Sequence, residues 1–105
     1  MAKRHKSTIA CDISPQVRRD VMERDDGRCI ICGSTNGIQI AHYISRARMG
    51  MGIPQNLACM CHLCHMAYDQ GHLHREVKHI FSEYLAGRYE DWSEDALVYR
   101  KEREL

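Results

Sequence analysis

Two Cys-x2-Cys pairs, Cys29/Cys32 and Cys61/Cys64, constrain this chain more than any other feature. Two residues between cysteines let both thiolates reach one tetrahedral ion at ~2.3 Å. Two such pairs close a four-cysteine site with no position open to water, which makes the site structural rather than catalytic. At 105 residues the chain is expected to be one domain, and a domain of that size buries only about 60–65% of its unfolded surface. A structural zinc supplies stability that so small a core lacks. Cys59 stands two residues before Cys61 and on a strand would face the same side, so it is either a substitute ligand or a small core residue. Cys11 has no partner in the sequence.

The start, Met1-Ala2-Lys3-Arg4-His5-Lys6, is basic with no apolar run behind it, which is not the pattern of a signal peptide. No stretch approaches the ~20 apolar residues of a membrane span. The expected setting is cytoplasmic and away from membranes, where thiols stay reduced and paired cysteines hold metal. Fifteen Lys and Arg against fourteen Asp and Glu give a net charge of +1, so overall charge does not announce a nucleic-acid partner. Phosphate binding would have to come from local clusters such as Lys3/Arg4/Lys6, Arg18/Arg19 and Arg46/Arg48.

Residues 1–12 are polar and aperiodic and read as a flexible basic arm, leaving 13–105 as a single domain. Ser14-Pro15 is an N-cap followed by proline at the first helical position, and predicts a helix over 15–26 that Gly27 ends. The segment 38–44 alternates with period two and predicts a strand, with Ile38, Ile40, His42 and Ile44 on one face. Residues 45–55 form a loop, 57–60 a short second strand and 62–69 a helix. Leu73, Val77, Ile80, Phe81, Tyr84 and Leu85 mark an amphipathic helix over 73–86. Ser93 caps a last helix over 93–103, with Glu94 and Asp95 at its start and Arg100, Lys101 and Arg103 near its end. The class is α+β.

Seven histidines are many for this length. His5, His62, His72, His74 and His79 fit solvated positions. His42 and His65 stand apart: the first ends the predicted strand after one cysteine pair, and the second directly follows the other pair. Asn56 lies between them.

Cys29-x2-Cys32-Gly33, Ile40-Ala41-His42, Pro54-x-Asn56-Leu57 and Cys61-x2-Cys64-His65, in this order, resemble the HNH endonucleases, over about residues 15–70. Ser45-Arg46 and the Gly-Ile-Pro-x-Asn-Leu run are similar to phage and prophage members. The resemblance implies a small ββα-metal core over about 29–70 with flanking helices, stapled by zinc. It also implies metal-dependent hydrolysis of phosphodiester bonds in DNA, as an endonuclease or a nickase. His42 would be the general base, suited to it because neutral imidazole accepts a proton near neutral pH. His65 would bind a catalytic divalent ion, Mg2+ or Mn2+ by the hardness of the ligands. Asn56 would bind that ion or hold the loop that orients His42. Arg46 would grip the phosphate.

One position departs from the family pattern. Many members carry Asp or His before the first catalytic histidine as a metal ligand, and here Ala41 can bind nothing. Asp69, four residues after His65 and on the same helical face, is the candidate replacement. A non-catalytic zinc-stapled module that binds DNA or protein is the alternative, favoured by Ala41 and opposed by His42, Asn56 and His65. The partner is DNA, with a larger packaging or recombination complex as a further candidate; specificity and oligomeric state are open.

Overall fold

The computed structural model describes residues 5–101. Its elements run α1 (Lys6–Cys11), α2 (Pro15–Arg24), β1 (Ile38–His42), β2 (Leu57–Cys61), α3 (His62–Asp69) and α4 (His74–Arg88). Single 3-10 turns cover Arg46–Arg48, Pro54–Asn56 and Glu94–Leu97. This is a small α+β fold centred on a β-hairpin and the helix that follows it, in keeping with a zinc-stapled ββα unit.

Local sequence accounts for the boundaries. Ser14 caps α2 by accepting from the Val17 N–H at 3.1 Å, with Pro15 in the first turn where no N–H is needed. The chain leaves α2 through Gly27 at φ 62°, whose N–H returns to Met22 O at 2.9 Å. β1 and β2 pair antiparallel with Ile40 opposite Cys59 and His42 opposite Leu57. Cys61 ends β2 and caps α3, its sulfur accepting from the Cys64 N–H.

The hairpin is covered on both faces. Ile40, Leu57 and Cys59 pack against Val21 of α2. Ala41, Ala58 and Met60 pack on the opposite side, with Tyr43, Tyr68 and the Val77, Phe81 and Leu85 stripe of α4. Alternation in 38–44 marked one apolar face; the small Ala41 and the amphipathic Tyr43 conceal the second. Leu73 and Ile80, expected within the α4 stripe, stay outside the core at 45% and 42% exposure.

A buried ion pair ties α2 to the rest. Arg24 and Asp25 make two hydrogen bonds to one another at 2.7 and 2.9 Å. Arg24 also donates to Leu57 O, Pro54 O and the Tyr89 hydroxyl, while Asp25 accepts from the Cys59 N–H and the Tyr84 hydroxyl. Ile30 N–H donates to Cys59 O at 2.9 Å. Burial opposes the Asp25 carboxylate, but Arg24, Tyr84 and the Cys59 N–H outweigh it and hold its pKa below the ordinary value.

Two expectations give way at the ends. Residues 6–11, read as part of an arm, are helical, and Cys11 is buried. Tertiary contacts hold this turn, which a period too short to read could not announce. The rest of the expected arm, 1–4, lies outside the described residues. Of the helix expected over 93–103, the described residues form a 3-10 turn at Glu94–Leu97, whose Ser93 makes no side-chain capping bond. Val98 then extends to pair with Gly50, with Met51 N–H donating to Leu97 O and Tyr99 N–H to Met49 O. Pairing with the 49–51 loop outcompetes helical propensity there. Residues 102–105 lie outside the described residues.

Candidate active site

The cysteine cluster comes first, because it fixes the hairpin and the helix that carry the remaining groups. Sγ atoms of Cys29, Cys32, Cys61 and Cys64 all lie within 4.8 Å of one another. Cys32 and Cys61 sulfurs are 3.6 Å apart, against the ~3.8 Å expected of two thiolates on a tetrahedral ion at ~2.3 Å. The four residues are positioned to hold a metal ion. Backbone N–H groups of Ile31 and Cys64 point at Cys29 and Cys61 sulfur, at 3.4 and 3.5 Å. Burial resists ionisation of Cys29, but hydrogen bonds from Cys32, Cys61 and Ile31 bring its pKa down to about 7. A thiolate is thus available near neutrality, the form a metal requires.

Cys59 is outside this cluster. It packs with Leu57 against Val21, its sulfur near Val21 O and Met22 Sδ. Burial, with Asp25 close by, pushes its thiol up to about 12, so it behaves as a small core residue.

His42 stands at the end of β1, half-buried, with Nε2 3.0 Å from Cys11 O. A carbonyl only accepts, so Nε2 carries the proton and Nδ1 the lone pair. Burial is the main cause that lowers its pKa, with Arg46 and His65 acting the same way and the Cys11 bond opposing them. Neutral imidazole is therefore favoured.

His65 and Asp69 lie one turn apart on α3, with Nε2 and Oδ2 separated by 3.2 Å. His65 Nδ1 lies 2.6 Å from Gln39 Oε1 on β1, an acceptor, so Nδ1 is the donor and Nε2 is the ring atom that faces the carboxylate. At that distance a proton on Nε2 or a cation held between the two groups bridges them. Adjacent ligands of an octahedral ion at ~2.1 Å lie ~3.0 Å apart, so the pair fits a divalent ion. Ala41 adds no ligand atom and is fully buried. Among the described residues, only the four cysteines gather three or more metal-ligand side chains.

Asn56 is fully buried, and its side chain is committed to backbone. Oδ1 accepts from Ile44 N–H at 2.8 Å, while Nδ2 donates to Ile44 O at 3.1 Å and Met51 O at 2.9 Å. A Cβ at position 50 would meet Ile44 O at 1.7 Å, so only glycine lets the loop close this tightly. Asn56→Ala should strand three backbone groups and cost about 3 kcal/mol or more. In a thermal melt that is a Tm fall of at least ~10 °C, and a fall under ~2 °C would contradict this role.

Arg46 does not face the cleft. Its guanidinium binds Cys11 O and pairs with Asp12 at 2.6 Å. The cations that line the cleft are Arg48 and Lys78, beside His42, Asp69, His74 and Glu94, around a volume of about 490 Å3. Lys78 also rides over the Tyr43 ring at 5.8 Å, and Tyr43 donates to Glu94 at 2.5 Å. Sequence reading passed over Lys78 because it sits within an amphipathic helix where a solvated lysine is unremarkable. His74, which stacks on Tyr68, was likewise read as surface.

Among solved structures, the fold is similar to that of ScoMcrA, a Type IV phosphorothioation-dependent restriction endonuclease, with a TM-score of 0.60 and 20% sequence identity. The match covers 70% of this chain and 16% of that one, so this chain spans a small part of that protein's length. No family model matches the sequence, and no curated protein matches it. No helix among the described residues is long and apolar enough to cross a membrane.

Proposed function

We propose that this chain is a metal-dependent HNH-type endonuclease that hydrolyses phosphodiester bonds in DNA. The observation that supports it best is that a neutral, half-buried His42 and Asp69 both line a cleft that also holds Arg48 and Lys78, with His65 paired to Asp69 one turn back on α3. Likeness of fold to a restriction endonuclease supports the same reading. In this proposal Cys29, Cys32, Cys61 and Cys64 hold a structural zinc, which their all-thiolate tetrahedral set suits. His65 and Asp69 hold a divalent ion, Mg2+ or Mn2+. When bound, that ion supplies a positive charge on the scissile phosphate and its leaving oxygen.

The chain's own residues do the rest. Nδ1 of His42 takes the proton from the attacking water. Arg48 and Lys78 bind phosphate oxygens of the strand and keep it seated in the cleft. Asn56 holds the loop that follows His42 rather than touching substrate.

Supercoiled plasmid, protein freed of divalent ions other than its zinc, and a panel of added ions make the test. Nicked or linear product with Mg2+ or Mn2+, absent without added ion and absent for His42→Ala, is expected. Cleavage with zinc or nickel alone would overturn the ion assignment. No cleavage with any ion would leave the non-catalytic module, which the missing ligand at Ala41 favours. The acid limb of kcat/KM provides a further check. His42 acts only when unprotonated and burial lowers its pKa, so activity should persist as pH falls to its ordinary 6.5 and drop below that. An acid midpoint above 6.5 would be the contrary result.

A further inference from the structure

The last carbonyls of a helix have no partners within it. At the end of α1, the Cys11 carbonyl accepts from two side chains, His42 Nε2 at 3.0 Å and Arg46 Nη1 at 2.9 Å. Arg46 Nη2 reaches Asp12 Oδ1 at 2.6 Å, so one planar guanidinium grips two neighbouring acceptors on the same turn. From the other side, Gly52 N–H donates to Ala10 O at 2.9 Å. A Cβ at 52 would stand 2.0 Å from Asp12 O and 3.1 Å from Cys11 O, so this approach is open only to glycine. Cys11 is itself buried. The end of α1 is therefore held from several directions, and what it presents to the site is a single oxygen.

We propose that the C-terminal end of α1 is a positioning element for His42, with the Cys11 carbonyl fixing the ring's orientation and its Nε2–H tautomer, and Arg46, Asp12 and Gly52 holding that carbonyl in place. The functional meaning rests on the nuclease reading, while the structural content stands without it. Arg46 acts here through His42 and does not contact substrate. A segment outside the hairpin and α3 thereby decides which nitrogen of the base is free. With Nε2 committed, Nδ1 is the only atom that can take a proton, and the ring cannot flip without breaking the bond to α1.

The test uses the full zinc-loaded chain labelled with 15N, observed by NMR above pH 7.5 where the ring is neutral. The expected result is a His42 Nε2 proton slow enough in exchange to be seen directly, with Nδ1 at the shift of an unprotonated nitrogen. Gly52→Ala displaces the helix end and Arg46→Ala removes the grip, and either should abolish that signal while zinc content and far-UV CD are kept. If Gly52→Ala fails to fold, Arg46→Ala carries the test alone. In plasmid cleavage, kcat should fall on the order of 10- to 100-fold with KM little changed, as for a misplaced base. Arg46→Lys keeps the charge but not the fork and should not restore kcat. A phosphate-binding Arg46 would instead raise KM and be rescued by lysine. Absence of the proton in wild type, its persistence in every folded variant, or rescue by lysine would overturn the proposal. Failure of wild type to cut any substrate would overturn the nuclease reading and leave the ring signal to decide this one.

Discussion

Cys61→Ser is expected to abolish cooperative folding and metal binding together, whereas Cys59→Ala leaves one zinc per chain in place. Cys61 sits where β2 becomes α3, and its sulfur both belongs to the four-cysteine cluster and caps the helix. A structural zinc in small domains contributes ~10–16 kcal/mol at neutral pH. Total stabilities of native domains are only about 5–15 kcal/mol, so a domain of this size has no margin to absorb that loss. Cys59 is two residues away but packs against Val21, and its truncation removes one sulfur from a small apolar cluster. Metal analysis and thermal melting of the two variants check both halves. A Cys61→Ser protein that melts cooperatively with its metal retained would refute the staple, and loss of metal in Cys59→Ala would refute the ligand set.

The second large effect concerns chemistry rather than scaffold. His42→Ala should lower plasmid cleavage by about 10^2- to 10^4-fold, the range for removing a general base. Zinc content should not change, because the ring is no part of the cysteine cluster. Its hydrogen bond to Cys11 O is lost, but Arg46 still satisfies that carbonyl, so no buried acceptor is stranded. Asp69→Asn should behave differently. If the His65–Asp69 pair holds the divalent ion, the defect should shrink as the ion concentration rises, while that of His42→Ala should not. Equal response of the two variants to added ion would separate His42 from the role of base.

What the sequence disclosed follows from how local each determinant is. Cysteine spacing, the Ser14-Pro15 start of α2, alternation in 38–44 and the stripe of α4 are written in neighbouring residues, and those elements form close to where their patterns lie. The four cysteines gather as their spacing implied. Less was legible where a distant partner decides. Arg46 was read as a phosphate-gripping residue because Asp12, which engages it, is far off in the chain. The contact that orients His42 comes from a backbone oxygen, and no side-chain identity at position 11 could have signalled it. Val98 extends because the 49–51 loop offers it bonds, against good helical charge placement in 94–103. His42, His65 and Asp69 were singled out by order and offset; that His42 and Asp69 line one cleft depends on how α3, which starts at the far end of β2, packs back along the hairpin.

The Arg24–Asp25 pair has a consequence for life in a crowded solution. A hairpin of two strands leaves two outer margins, and an open margin invites another chain to add itself by backbone pairing. On β2 the outward groups are already taken within the molecule: Cys59 N–H by Asp25, Cys59 O by Ile30, and Leu57 O by Arg24. Protein folds often discourage such growth with a proline, a bulge or an exposed lysine. Here an internally neutralised ion pair covers the margin, so the guard against aggregation is the same pair that fastens α2 to the hairpin. A variant that loosens it would be expected to self-associate before it unfolds.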